Sequence, residues 1–80
     1  MMTKQEFYAE LDNVLELRPG TIQGKENLAE MESWDSLAML SFLAMADSKL
    51  DTSVPGEVLE KCRTVGDLLA LFPAEKLQEA

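Results

Sequence analysis

Apolar residues recur at helical spacing in four stretches of this 80-residue chain, and no stretch alternates as a strand would. The first covers residues 3–17, where Phe7, Tyr8, Leu11, Val14 and Leu15 mark one face of an amphipathic helix. Thr3 and Glu6 have the spacing of a capping box, in which a hydroxyl and a carboxylate satisfy amides left free at a helix start. Arg18-Pro19-Gly20 is expected to stop this helix, because the residue before a proline resists the α region and glycine permits a reversal. Residues 18–35 hold no sustained period and predict a long connection, pinned by Ile22, Leu28, Met31 and Trp34 packing against the helices.

A second helix is expected over residues 36–50, with Asp35 as its N-cap and Leu37, Leu40, Leu43, Ala44 and Leu50 as its core stripe. Met39, Phe42 and Met45 widen its apolar surface beyond one face, so it is either sandwiched on several sides or offers part of itself to a partner. Residues 51–56 are rich in turn formers. Residues 57–62 predict a short third helix with Val58, Leu59 and Cys62 inward, and Thr64 with Asp67 caps a fourth. Val65, Leu68, Leu69, Leu71 and Phe72 supply the apolar residues of that helix, Pro73 ends it, and residues 74–80 are expected to fray. The pattern predicts an all-α fold, a four-helix bundle forming one domain over residues 1–80.

Hydrophobic content of 46% supports a globular core, although a chain this short buries only a modest one. The net charge of −8 argues against nucleic acid or an anionic membrane and favours partners with basic docking patches, or serves solubility alone. The single cysteine, Cys62, lies on an apolar face and reads as a core residue in a reducing compartment. With no histidine, serine–histidine and cysteine–histidine catalysis are excluded within the chain, and a transition-metal site is not expected. Residues 1–10 lack the apolar core of a secretory leader, and the run 37–46 is too short to span a bilayer, so a cytoplasmic location is expected.

One tripeptide carries chemistry. Asp35-Ser36-Leu37 places a serine hydroxyl at the start of the second helix, where free amides and the positive dipole end could hold a phosphate. Ser33, Ser41, Ser48 and Ser53 lack that combination of following leucine and helix start.

The chain resembles the acyl carrier protein family over nearly its whole length. Trp34-Asp35-Ser36-Leu37 is similar to the family's attachment motif. Leu50-Asp51 and Val54-Pro55 look like its segment between the second and third helices, and Glu60-Lys61 with Thr64-Val65 like its third helix and the start of its fourth. The order of helices (long, long loop, long, short, long) also matches. The resemblance implies that Ser36 carries 4′-phosphopantetheine, transferred from coenzyme A by a phosphopantetheinyl transferase. Acyl groups would then be held as thioesters on the arm's thiol, with no catalysis by the carrier. It implies that Asp35 assists the transferase, beside its capping role, and that Leu37 packs at the base of the arm or against a partner. The implied partners are that transferase and acyl- or aminoacyl-loading, condensing or acyl-transfer enzymes with basic or apolar docking patches, met by a monomeric carrier.

The chain departs from fatty-acid carriers around this motif. Ser33-Trp34 stands where they commonly have Gly-Ala, Ala38 stands where an acid commonly follows, and Asp47 is the only acid between Ser36 and Lys49. Docking through the second helix is therefore expected to rest on Ala38, Met39, Met45 and neighbouring apolar residues, in a specialised pathway rather than housekeeping fatty-acid synthesis. Leu40, Leu43, Ala46, Val58, Leu59, Cys62 and Leu68 are candidates to shelter an acyl chain. The competing function is an unmodified helical interaction module docking through the second helix; a small hydrolase lacks a general base beyond carboxylates.

Overall fold

The computed structural model describes residues 2–73 and 75–78. Its helices are α1 (Lys4–Val14), α2 (Ser36–Lys49), α3 (Gly56–Glu60) and α4 (Val65–Leu69). A 3₁₀ turn, Leu28–Glu30, interrupts the long connection, and two-residue strands β1 (Met2–Thr3) and β2 (Leu77–Gln78) lie near the chain ends. The expected helical bundle is present, with its long loop and short third helix.

The cap at Thr3 forms as its spacing predicts: its hydroxyl accepts from the Glu6 amide at 3.1 Å, and the Glu6 carboxylate accepts from the Thr3 amide at 3.0 Å. The end of α1 differs from expectation. Glu16 takes a left-handed conformation (φ 58°), its amide donates to the Asn13 carbonyl and the Leu17 amide donates to the Asp12 carbonyl. This is a Schellman closure with glutamate in the place glycine usually holds, so α1 stops before Pro19 has any influence.

The long connection is stitched down rather than loose. Asp12, on α1 and only 2% exposed, accepts from the Gly20 amide through Oδ2 and the Ile22 amide through Oδ1, both at 2.9 Å. Farther on, the Leu28 amide donates to the Arg63 carbonyl at 2.7 Å and the Val65 amide to the Glu26 carbonyl at 3.1 Å, tying the loop to the start of α4. Ile22 and Leu28 are buried as expected, and Met31 and Trp34 pack partly buried against the core.

The centre is aromatic. Phe7, Phe42 and Phe72 meet at centroid separations of 5.7–6.2 Å, joining α1, α2 and the turn after α4. This cluster decides the rotation of α2. Ala38, Phe42, Met45 and Ala46 are buried, whereas Leu37 and Leu40 are 72% and 64% exposed and Ala44 faces solvent. Of the expected stripe only Leu50 is fully buried and Leu43 half-buried. A helix apolar around most of its circumference has no preferred face of its own, so burying Phe42 between two other rings set the outcome.

The fourth helix is shorter than expected. After Leu69 the chain tightens, with Leu71 and Phe72 donating to Leu68 and Leu69 three residues back, and this swings Phe72 into the aromatic cluster. Residues 74–80 were expected to fray. Within that segment Leu77 is buried and pairs in parallel with Met2, and Gln78 with Thr3; residues 74, 79 and 80 lie outside those described. Two-residue strands leave no alternating pattern to read in sequence.

Candidate functional site

Ser36 is the first residue of α2 and is exposed. Asp35 precedes it in extended backbone, and its Oδ1 accepts from the Ala38 amide at 2.9 Å, which makes it the N-cap. The first intrahelical bond runs from the Met39 amide to the Asp35 carbonyl at 2.9 Å. The amides of Ser36 and Leu37 thus stand ahead of the helical ladder at the positive end of a 14-residue helix. Ser36 is thus an exposed residue that follows the capping carboxylate directly and stands at the positive end of the helix. Leu37 projects outward next to it.

A groove of about 270 Å³ begins at Ser36 and runs between α2 and α3, walled by Met39, Leu40, Leu43, Gly56, Leu59 and Glu60. Three of the proposed acyl-sheltering residues, Leu40, Leu43 and Leu59, meet here. The other four do not line it: Ala46 and Leu68 lie in the closed core, Val58 is 40% exposed and Cys62 is half-buried elsewhere. A second groove, about 170 Å³, lies on the other side of the motif, where Glu16, Ser33, Asp35, Leu37 and Ser41 come together. Glu60 and Glu16 therefore flank the motif from α3 and from the end of α1. Sequence reasoning missed both, because the contacts cross separations that only the fold closes.

Docking contacts also need correction. Ala38 and Met45 are buried and cannot be offered to a partner, and Met39 is half-buried; the outward residues of α2 near the site are Leu37, Leu40, Ser41 and Ala44. Cys62 is half-buried rather than fully buried, with Sγ donating to the Val58 carbonyl at 3.6 Å. Desolvation, with a smaller contribution from the Asp67 charge, pushes its thiol above the ordinary cysteine range, so it is a poor nucleophile. Among the described residues no group of three or more histidine, cysteine, aspartate or glutamate side chains could hold a metal ion. Among the described residues no helix is long and apolar enough to cross a membrane.

The residues present suit a phosphopantetheine group. An exposed hydroxyl at a positive helix end fits a phosphodiester, and the groove that starts there offers an apolar wall to the arm beyond it.

Comparison with known proteins agrees. A family model described as a phosphopantetheine attachment site matches residues 5–72. An acyl carrier protein of Rhodococcus erythropolis is 31% identical over 72 residues, covering 85% of this chain and 79% of the relative. A meromycolate extension acyl carrier protein of Mycolicibacterium smegmatis is 28% identical over 81 residues, covering 96% and 80% respectively. No solved structure matches the chain. With the helical bundle, the Asp-Ser-Leu helix start and the family match in agreement, the chain belongs to the acyl carrier protein family, carriers of phosphopantetheine that have no catalytic activity of their own.

Proposed function

We propose that Ser36 is the attachment point of 4′-phosphopantetheine and that the loaded carrier presents acyl thioesters to the enzymes of a specialised biosynthetic pathway in the cytoplasm. The observation that carries the reading is the exposed Ser36 hydroxyl at the first position of α2, capped by Asp35 and opening onto the α2–α3 groove.

The chain contributes position and recognition. In loading, the Ser36 hydroxyl oxygen bonds to the pantetheine-bearing phosphorus of coenzyme A, the bridging bond of the pyrophosphate breaks, and adenosine bisphosphate leaves with the electron pair. The hydroxyl proton passes to a base on the transferase, because no histidine is present in this chain. The amides at the start of α2 then face the negative phosphodiester. Once bound, the group supplies a flexible arm ending in a thiol that holds acyl cargo as a thioester.

The specialised role is supported by the surface around the motif. Leu37, Leu40, Ser41 and Ala44 give α2 an uncharged outer face, while Glu16 and Glu60 bring acid from neighbouring elements. A partner matched to this face needs an apolar centre and basic flanks. That one relative serves meromycolate extension is consistent with carriers of this kind working outside housekeeping synthesis.

Intact mass after co-expression with a broad-specificity transferase tests the attachment. A gain of one phosphopantetheine group, absent in Ser36→Ala, is expected; no gain with any transferase leaves the unmodified interaction module. Reconstitution with fatty-acid synthesis enzymes tests the pathway: turnover equal to that of a housekeeping carrier would refute the specialised role.

A further inference from the structure

We infer that Trp34 is a positioning residue for phosphopantetheine loading, holding Asp35 and Ser36 in register with α2 by stapling the end of the long loop onto Phe42. The inference rests on the reading of Ser36 as the attachment point.

Trp34 occupies the position just before the Asp35 cap. In a hydrophobic staple, an apolar residue there packs on the first turns of the helix and fixes the angle at which the chain joins it. Here the contact reaches farther along: the Trp34 ring lies edge-on to Phe42, with centroids 6.0 Å apart and planes at 75°. Phe42 is fully buried and held in turn by Phe7 and Phe72. The tryptophan is therefore anchored to the buried aromatic cluster and not to another surface residue. On the loop side, the Trp34 amide donates to the Met31 carbonyl, the Met31 amide to the Leu28 carbonyl, and the Leu28 amide to the Arg63 carbonyl, at 3.1, 3.1 and 2.7 Å. The segment leading to Ser36 is held to the α3–α4 junction at one end and to the aromatic core at the other.

Between those anchors stands a cap made by one bond, from the Ala38 amide to Asp35. An apolar residue just before a cap fixes the angle at which the chain enters the helix, and so the place of the capping residue. Trp34 lines neither of the grooves beside the motif, so its effect on loading passes through the placement of Asp35 and Ser36. Misplacement of a reacting group by about 1 Å costs on the order of 100-fold in rate. A residue that limits such excursions shows itself in the transfer step more than in fold content.

The test compares wild type, Trp34→Phe, Trp34→Leu and Trp34→Ala as apo proteins, measuring steady-state transfer from coenzyme A together with amide exchange at Ala38 and at Leu11. In Trp34→Ala, kcat for transfer is expected to fall by ~10-fold or more, with KM for coenzyme A unchanged. Exchange should accelerate at Ala38 and not at Leu11, and Trp34→Phe should restore both readouts. If Trp34→Ala unfolds, accelerating exchange at Leu11 as well, Trp34→Leu carries the same comparison with a side chain that fills space but makes no ring contact. Unchanged kcat in folded Trp34→Ala or Trp34→Leu, or a loss that follows Leu11 exchange rather than Ala38 exchange, overturns the inference. Failure of the wild type to load at all, or loading that persists in Ser36→Ala, refutes instead the assignment of Ser36.

Discussion

Replacing Asp12 isolates the restraint that folds the long connection back onto α1. Its carboxylate is 2% exposed and accepts two backbone amides, those of Gly20 and Ile22, each at 2.9 Å. Asp12→Ala removes both acceptors. Gly20 is exposed, so its amide regains water at little cost, but Ile22 is only 3% exposed and its amide is left without a partner. A buried unpaired amide costs about 1–3 kcal/mol, and a hydrogen bond to a charged group contributes about 1.5–3 kcal/mol. Relief from burying the carboxylate offsets part of this. The expected loss is ~2–3 kcal/mol, against a total of roughly 4–12 kcal/mol for a domain of this size. At about 4–8 °C per kcal/mol, Tm should fall by roughly 10–20 °C. Urea unfolding of the apo protein gives the free energy directly, and Asp12→Asn, which retains one acceptor, should fall between wild type and alanine. A loss below ~0.5 kcal/mol in Asp12→Ala would show that the loop is held by Ile22 and Leu28 burial and that the hydrogen bonds add nothing.

Further outcomes follow from the same geometry. Glu16→Gly should stabilise by ~0.5–1 kcal/mol in urea unfolding, because glutamate at φ 58° carries a left-handed penalty that glycine lacks; a loss of stability would contradict the Schellman closure. Gly24→Ala should destabilise by about 1–3 kcal/mol, since the residue sits at φ 108° and a Cβ there would lie 2.5 Å from the Tyr8 hydroxyl. Asp67 is held below the ordinary carboxylate range by the amides of Arg63 and then Thr64, so its contribution is present above the unfolded pKa of about 4 and is lost as pH falls through the lower folded value. Urea midpoints measured down that acid limb should therefore drop less in Asp67→Asn than in wild type. On the loaded carrier, an alkylating reagent near neutral pH should label the arm thiol well before Cys62, whose raised pKa leaves little thiolate; equal labelling rates would refute the shielding of Cys62.

Features set by neighbours in sequence were legible at once. Both capping boxes, Thr3 with Glu6 and Thr64 with Asp67, form as their spacing predicts, as does the Asp35 cap that starts α2 at Ser36. Each depends on residues within one helical turn, so the local sequence holds all the information. The helical stop at Glu16 was not legible, because glutamate carries no signal for a left-handed conformation and Pro19 offered a more obvious one. The short strands near the chain ends and the loop bonds to Arg63 and Glu26 join residues far apart in sequence, where no period or motif announces them.

The Asp-Ser-Leu motif, its place at a helix start and the all-α class were determined by the sequence alone, since capping and helical periodicity act over a few residues. Which face of α2 turns inward was decided only in three dimensions. Leu37, Leu40, Phe42 and Met45 are all apolar and all acceptable in a core; Phe42 was chosen because Phe7 and Phe72 provide rings for it to pack against. That choice leaves Leu37 and Leu40 exposed beside Ser36, sets Leu40 and Leu43 opposite Leu59 in the groove, and lets Trp34 reach Phe42 from the loop. The chemistry was written locally, whereas its surroundings follow from long-range packing of side chains whose hydrophobicity does not distinguish them.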